Sequence, residues 1–98
     1  MHEWQSPRPL ADHFRKHGRR MGLRTIEEFD ASARATIARG TIFGYEDDKT
    51  GEWRIGCYDS PTGRFTVITD DDRFIVSHVP SDEEYVAGLT DSTYKENA

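Results

Sequence analysis

The chain has 98 residues, a net charge of −5 and one cysteine, Cys57. This length fits one domain with a modest core, and a lone cysteine excludes an intramolecular disulfide framework. The sequence contains neither an apolar run of about 18 residues nor a signal peptide. We therefore expect one soluble domain over residues 1–98, with its core at about 9–89 and a tail at 90–98, and no membrane partner. Export would need signals outside this chain.

The charge is unevenly distributed along the sequence. Residues 1–24 carry six basic and two acidic residues, a balance of +4, which leaves −9 on the rest. The net negative charge argues against a generic nucleic-acid binder, whereas a basic quarter on an acidic body can concentrate a polyanion at one place. An ordinary solvated charge run explains the same pattern.

A short first helix is predicted before residue 18. Pro9 suits a first helical turn, and Leu10, Phe14 and His17 follow on one face at spacings of four and three. Gly18 then offers a left-handed helix end.

Two capping boxes predict further helices. Thr25 and Glu28 in "TIEE" begin a second helix, and Ser81 and Glu84 in "SDEEYVAGL" begin a short last one. The inner face of the second helix is expected to hold Phe29, Ala33, Thr36 and Ile37, with Gly40 at its end.

Between these helices the apolar period changes to two. "TIFGY", "EWRIGCYD", "RFTVIT" and "RFIVSHV" indicate four short strands, and their short turn-rich links favour antiparallel neighbours. The predicted fold is α+β, with N-terminal helices packed on a four-stranded antiparallel meander sheet and a short C-terminal helix.

Alternation predicts which sheet positions face the helices. The apolar sets in the second and third strands, such as Ile55, Cys57, Phe65 and Val67, should face inward, and Cys57 should be a core residue. A set of polar side chains would then face outward together: Arg54, Tyr58, Arg64, Arg73 and Ser77. Polar residues are also ordinary on the exposed face of a sheet.

Several kinds of chemistry can be set aside. His13 and His17 have the helical spacing of metal ligands, but no third ligand is indicated and the neighbouring cations disfavour a divalent ion. A serine elbow, a phosphate loop and a dinucleotide motif are absent from the sequence. We expect neither a metal nor a cofactor.

Metal-free RNA cleavage fits the residue types that are present. The 2′-hydroxyl needs a base, the 5′-oxygen needs an acid, and the phosphorane needs cations or hydrogen-bond donors. A candidate set is His17, Lys16, Arg54, Tyr58 and Ser77. A histidine near a helix end also commonly complements the helix dipole or packs.

A family resemblance favours the nuclease interpretation. "HFRKHG", then a Gly, a Thr and "EEFD", followed by "WRIGCYDSPTGRFTVITDDDRFIVSHVP", resembles the toxin nucleases of the barnase, EndoU, colicin and RelE-like (BECR) fold, especially their colicin D-like or phage-borne branch. The resemblance covers residues 12–85. The matching positions are Lys16, His17, Gly18, Gly22, Thr25, Glu28, Tyr58, Asp59, Thr62, Gly63, Phe65, Ser77 and Pro80. Departures occur at Phe29, where the family has tyrosine, and at Val76, His78 and Val79 around the last strand.

The resemblance implies an endoribonuclease toxin that cleaves tRNA in the cytoplasm of a target cell. It also implies a cognate immunity or antitoxin protein, and we expect the chain alone to be a monomer. Lys16, His17 and Ser77 are the catalytic positions that it implies, with Arg54 and Tyr58 on the adjoining strand. We expect RNA contacts from His13, Arg19, Arg20, Thr62, Arg64 and His78. A non-catalytic protein-binding module, an inactivated toxin relative and a nucleotide-binding enzyme of other mechanism remain alternatives.

Overall fold

The structure is a computed structural model that describes residues 2–89. It has the predicted α+β class, with three helices and a five-stranded mixed sheet. The elements are β1 (Glu3–Trp4), α1 (Pro7–His17), α2 (Ile26–Arg39), β2 (Thr41–Glu46), β3 (Trp53–Asp59), β4 (Arg64–Thr69), β5 (Phe74–Pro80) and α3 (83–89). The predicted tail at 90–98 lies outside the described residues.

Helix α1 ends at the predicted place but in another conformation. Gly18 is right-handed, with φ of −55°, and the left-handed residue is Gly22, with φ of 75°. A Cβ on Gly18 would lie 2.6 Å from the Phe14 ring. Gly18 is therefore required for close packing and not for a left-handed turn, so the prediction for this residue was wrong.

Helix α2 begins as the sequence predicts. Thr25 accepts a hydrogen bond from the Glu28 amide at 3.1 Å, and the Glu28 carboxylate accepts one from the Thr25 amide, which completes the capping box. Phe29 and Ala33 are fully buried against the sheet, and Thr36 is 2% exposed. The predicted inner face is confirmed, with Ser32 as an additional buried member.

The sheet order is β1-β5-β4-β3-β2. The four predicted strands form the antiparallel part, and β1 adds a fifth strand parallel to β5 through Glu3 opposite Phe74 and Trp4 opposite Ile75. The prediction of a purely antiparallel four-stranded sheet was therefore incomplete. A two-residue strand is too short to show an alternating pattern.

Both faces of the sheet are covered. Cys57, Ile68 and Ile75 form a cluster on the face that carries Ile37 of α2. A second cluster, which includes Phe65 and Val67, lies on the opposite face with Val86 of α3. The expectation that Phe65 and Val67 face the N-terminal helices was wrong, because β4 carries apolar side chains on both faces and α3 covers the second face.

Helix α3 is capped one residue later than predicted. The Asp82 carboxylate accepts the Tyr85 amide at 2.8 Å, as an N-cap does. Ser81 is still bonded to the sheet, since its amide donates to the Gly63 carbonyl and its carbonyl accepts from the Tyr58 hydroxyl. The predicted cap at Ser81 was wrong for this reason.

A β-bulge in β5 changes which side chains share a face. Val67 pairs with Ser77 and Ile68 with Ile75, so Val76 is an extra residue in β5. Val76 packs against the cluster of Phe65 and Val67, and Ser77 lines a cavity on that same face. Strict alternation along the strand predicts that Val76 and Ser77 face opposite sides of the sheet; this prediction was wrong, because a period of two does not continue through a bulge.

Candidate active site

The histidine cavity, as we name it, lies beside α1 on the sheet face covered by α3. Its volume is about 650 Å³. The lining residues come from α1, the β2–β3 region, β4, β5 and the start of α3: His13, His17, Tyr45, Asp47, Lys49, Phe65, Val67, Ser77, Val79, Pro80, Ser81, Asp82 and Tyr85. Two of the residues predicted to act together, His17 and Ser77, therefore meet at one cavity.

The two histidines form a stacked pair. His13 and His17 are one helical turn apart, and their ring centroids are 5.9 Å apart with 21° between the ring planes. Both rings line the histidine cavity. One bound phosphodiester can therefore meet two imidazoles on a rigid helix.

The surroundings of both rings favour the neutral imidazole. Burial lowers the pKa of His13 below its usual value of 6.5, and the nearby His17 and Lys16 lower it further. Burial also lowers the pKa of His17, followed by the charges of Arg20 and Lys16. A phosphate bound next to the two rings would raise their pKa values, because a nearby anion favours the imidazolium form.

Arg20 orients the His17 ring. One of its guanidinium nitrogens lies 2.9 Å from His17 Nδ1. Because guanidinium can only donate, Nδ1 accepts, and the proton of the neutral His17 ring is on Nε2. The Nδ1 atom of His13 is buried with no hydrogen-bond partner among the described residues.

Lys49 is a candidate site residue that the sequence did not reveal. Its amide donates to the Asp47 carboxylate at 3.0 Å, which holds the β2–β3 turn that carries it. The side chain lines the histidine cavity, although Lys49 is more than 30 residues from His17 in the sequence. A lysine in an acidic turn gives no local signal of this placement, because strand pairing brings the turn to the cavity.

Two tyrosines form further parts of the cavity wall. Tyr45 is buried, and burial together with Tyr85 and Asp47 raises its pKa to about 12, so its hydroxyl is a neutral donor. Tyr85 is 56% exposed and has an edge-to-face contact with Phe65 at 6.4 Å between centroids. Neither tyrosine was a sequence candidate.

Arg54 lies next to the histidine cavity and not in its lining. It lines a smaller cavity of about 200 Å³ that also includes Ser77, Lys49 and Tyr45. Its guanidinium donates to the Glu52 carboxylate at 2.6 Å, and the side chain is only 12% exposed. Arg54 is thus on the same face as Ser77 but is already paired.

Two further predicted catalytic residues lie outside the lining. Lys16 is exposed on α1, close enough to affect the pKa of both histidines. Tyr58 is 8% exposed, and its hydroxyl donates to the Ser81 carbonyl at 3.2 Å. Tyr58 lines a separate cavity of about 360 Å³ with Phe43 and Val86, so the structure does not bring it to His17.

His78 is fully buried, in contrast to the expected RNA contact. Its Nε2 is 2.8 Å from the Ser32 hydroxyl and its Nδ1 is 2.7 Å from the Thr66 hydroxyl. Burial, followed by the charge of Arg64, lowers the pKa of His78 to about 4. The ring is a neutral core group, and the predicted contact to RNA was wrong because β5 turns it toward α2.

Arg64 was also predicted to face outward and instead faces α2. One guanidinium nitrogen donates to the Ser32 hydroxyl at 3.0 Å and the other to the Met21 carbonyl at 3.1 Å. Arg64 pairs with Asp59 across the β3–β4 ladder. Its position follows from β4 presenting Phe65 to the other face.

The other residues predicted to contact RNA lie in two turns of the chain. Thr62 donates to the Asp59 carboxylate at 2.7 Å and stabilises the β3–β4 turn. Arg19 and Arg20 follow α1 and are exposed. Arg20 contacts His17, whereas Arg19 lines a second cavity on another side of α1.

Within residues 2–89, no group of three or more His, Cys, Asp or Glu side chains is placed to hold a metal ion. In the same part of the chain, no helix is long and apolar enough to cross a bilayer. Comparisons with protein families, with curated proteins and with solved structures find no match to this chain.

Proposed function

We propose that this domain is a metal-independent endoribonuclease. The observation that carries the proposal is the stacked pair of His13 and His17 at one cavity with Ser77. Cleavage by the RNA 2′-hydroxyl needs one group that removes a proton and one that gives a proton, and two imidazoles can supply both. The volume of about 650 Å³ is in the range of ligand cavities.

The proposal gives each ring a separate role. His17 holds its neutral-state proton on Nε2 and becomes a full acid when it gains a second proton at Nδ1, which requires Arg20 to move. We assign proton donation to the 5′-oxygen to His17 and removal of the 2′-hydroxyl proton to His13. The products are a 2′,3′-cyclic phosphate and a 5′-hydroxyl.

Other residues bind the phosphate and stabilise its charge. The Ser77 hydroxyl and the Lys49 ammonium can donate to the phosphorane oxygens, and Lys16 adds positive charge from the exposed side of α1. Arg54 lines the neighbouring cavity together with Ser77 and Tyr45 and adds positive charge there. In this proposal Tyr58 has a structural role, since its hydroxyl is bonded to the Ser81 carbonyl.

The biological role is proposed from the sequence resemblance. The domain is a toxin that acts on RNA in the cytoplasm of a target cell, with tRNA as its substrate, and a cognate immunity or antitoxin protein neutralises it. The +4 balance of residues 1–24 supports an anionic substrate at the α1 side of the domain.

The test is cleavage of total RNA and purified tRNA by the protein in EDTA. We expect 2′,3′-cyclic phosphate ends, and we expect His17→Ala and His13→Ala each to reduce the rate by a factor of about 10² or more, as loss of a general acid or base does. Arg39→Ala is the control, because Arg39 is exposed at the end of α2. Circular dichroism confirms folding of each variant.

Three outcomes would contradict the mechanism. Full activity of a folded His17→Ala protein would remove the proposed acid. Products with 5′-phosphate ends would indicate attack by water and a metal. A folded wild-type protein that binds RNA without cleaving it would support the non-catalytic binding module instead.

A further inference from the structure

A second cavity lies beside the C-terminal half of α1 and the turn that follows it. We call it the arginine cavity, and its volume is about 580 Å³. It is lined by Phe14, Arg15, Arg19, Gly22, Leu23 and Arg24. No acidic residue among those described lines it, although the whole chain carries a net charge of −5. Three guanidinium groups around one cavity indicate an anion site.

Two of the three arginines are available to a ligand. Within residues 2–89, the side chains of Arg19 and Arg24 have no hydrogen bond or ion pair, and both residues are exposed. Arg15 donates to the Asp12 carboxylate at 2.9 Å, so its charge is partly compensated. The cavity therefore presents mainly the charges of Arg19 and Arg24.

The backbone that carries these arginines is held in place. The Leu23 amide donates to the Gly18 carbonyl at 2.9 Å, and the Arg24 amide donates to the Glu28 carboxylate at 2.7 Å. Gly22 adopts the left-handed conformation that this turn needs, with φ of 75°. A folded turn presents the two side chains at lower entropic cost than a flexible segment would.

The arginine cavity and the histidine cavity are on different sides of α1. Successive residues of an α-helix are about 100° apart around its axis, so Arg15 points away from the stacked His13 and His17, and Phe14 lies between the two sides in edge-to-face contact with Phe29. Arg20 contacts His17 and belongs to the same turn as Arg19. An RNA strand that leaves the histidine cavity and follows the end of α1 would pass Arg20 and reach Arg19.

We infer that the arginine cavity binds a second phosphate group of the same RNA strand, outside the scissile phosphodiester. The inference rests on the proposed ribonuclease function and extends it to the length of substrate that the domain holds. Guanidinium groups bind phosphate with two parallel hydrogen bonds, and Phe14 and Leu23 provide an apolar wall for the attached sugar or base. The end of α1 is the negative end of its dipole, so the arginines must supply the attraction.

The experiment measures binding of RNA that cannot be cleaved. Fluorescence anisotropy with labelled 2′-O-methyl RNA of two and of eight nucleotides is recorded for the wild type and for Arg19→Gln/Arg24→Gln. Arg8→Gln/Arg39→Gln is the matched control, since it removes the same charge at exposed positions outside both cavities. A second measurement follows amide NMR shifts of residues 22–24 with inorganic phosphate, which separates a free anion from one carried by RNA.

We expect the variant at Arg19 and Arg24 to bind the octamer at least tenfold more weakly. The slope of log K against log salt should become shallower by about 0.7 for each phosphate that the variant no longer neutralises. Binding of the dinucleotide should be unchanged, and the control should stay within twofold of the wild type for both lengths.

Two results would overturn the inference. Equal weakening in the control variant would show a general charge effect, and equal weakening for the dinucleotide would show no separate subsite. Because 2′-O-methyl RNA has no free 2′-hydroxyl, the readout does not depend on cleavage. A protein that loses octamer binding in the variant but cleaves no RNA would retain the phosphate subsite and lose the ribonuclease proposal.

Discussion

The contact between Arg20 and His17 forms only with the neutral imidazole. A guanidinium nitrogen donates to His17 Nδ1 at 2.9 Å, and protonation of that nitrogen would replace the hydrogen bond with repulsion between two cations. Burial is the first cause of the lowered His17 pKa, and the charge of Arg20 is the second. Arg20 therefore adds to burial in lowering the pH range in which the His17 ring is protonated.

Replacement of Arg20 tests this control of pKa. In Arg20→Gln the His17 pKa should rise, because a nearby positive charge is removed. If His17 is the acid, the alkaline limb of the pH profile of kcat/KM moves to higher pH and the active range widens. The pKa itself is measured independently by NMR titration of the His17 ring, with Arg19→Gln as the control. An unchanged His17 titration would contradict the role of Arg20.

The chain between α2 and β2 passes close to the backbone of β3 at Gly40. A Cβ on Gly40 would lie 2.7 Å from the Thr36 carbonyl oxygen and 2.9 Å from the Tyr58 amide nitrogen. Both of these are backbone atoms, which cannot rotate away as a side chain can. Gly40 has φ of −73°, which any residue can adopt. Glycine is therefore needed at this position because a side chain has no space, and not because of the backbone conformation.

Gly40→Ala should lower the free energy of unfolding by about 2–3 kcal/mol, in the range of overpacking mutations. Gly44→Ala is the matched control in β2, because the nearest atom to its Cβ is at 4.0 Å. We expect the control to change stability by less than about 0.5 kcal/mol. Urea denaturation measures both, and equal effects of the two substitutions would contradict the close approach.

Elements whose signals are local were predictable from the sequence. The Thr25 and Glu28 capping box and the alternating strands indicated α2 and the antiparallel part of the sheet, because both patterns depend on neighbouring residues. Strand β1 was missed since Glu3 and Trp4 are too few to alternate. Similarly, the extra residue Val76 gives no signal before its partner strand is known.

The candidate site was predictable only in part, for the same physical reason. Its members on α1, His13 and His17, share a helix and a spacing that can be recognised in the sequence. Ser77 followed from strand alternation and from the family resemblance, whereas Lys49 and Tyr85 reach the cavity only through tertiary packing. His78 was misassigned because the prediction followed its place beside Ser77 in the resemblance, whereas the regular alternation of β5 turns it to the opposite face from Ser77.

A polar network in the interior of the molecule connects α2 to the sheet. The fully buried His78 ring connects α2 to the sheet through the hydroxyls of Ser32 and Thr66, and Arg64 donates to Ser32 from β4. With the proton of His78 on Nδ1, Ser32 can donate to Nε2 and Thr66 can accept from Nδ1. Each of these buried groups then has a hydrogen-bond partner. A protonated His78 ring could no longer accept a hydrogen bond from Ser32, and it would place a second positive charge beside Arg64.

The protein should consequently lose stability in mild acid. The unfolded chain takes up a proton at His78 near pH 6.5, whereas the folded protein does so only near pH 4. Stability from this group is thus complete above pH 6.5 and falls as the pH drops toward 4, by about 3 kcal/mol at pH 4. Urea denaturation between pH 4 and 7 measures the fall.

The control separates His78 from the other acid-sensitive groups. His78→Gln should be less stable than the wild type at pH 7 but should show a flatter pH dependence of stability. If the His78→Gln protein is too unstable for denaturation, NMR titration of His78 in the wild type gives the same information. A His78 ring that titrates near pH 6.5 in the folded protein would contradict the buried neutral state.

Cys57 lies on strand β3 of the same sheet, fully buried, and burial raises the pKa of its thiol to about 11. Alkylating reagents attack the exposed thiolate, so this side chain reacts only in molecules whose sheet has opened. As the chain has one cysteine, the labelling signal comes from a single position. The rate of alkylation under native conditions therefore reports how often strand β3 separates from α2, without any engineered probe.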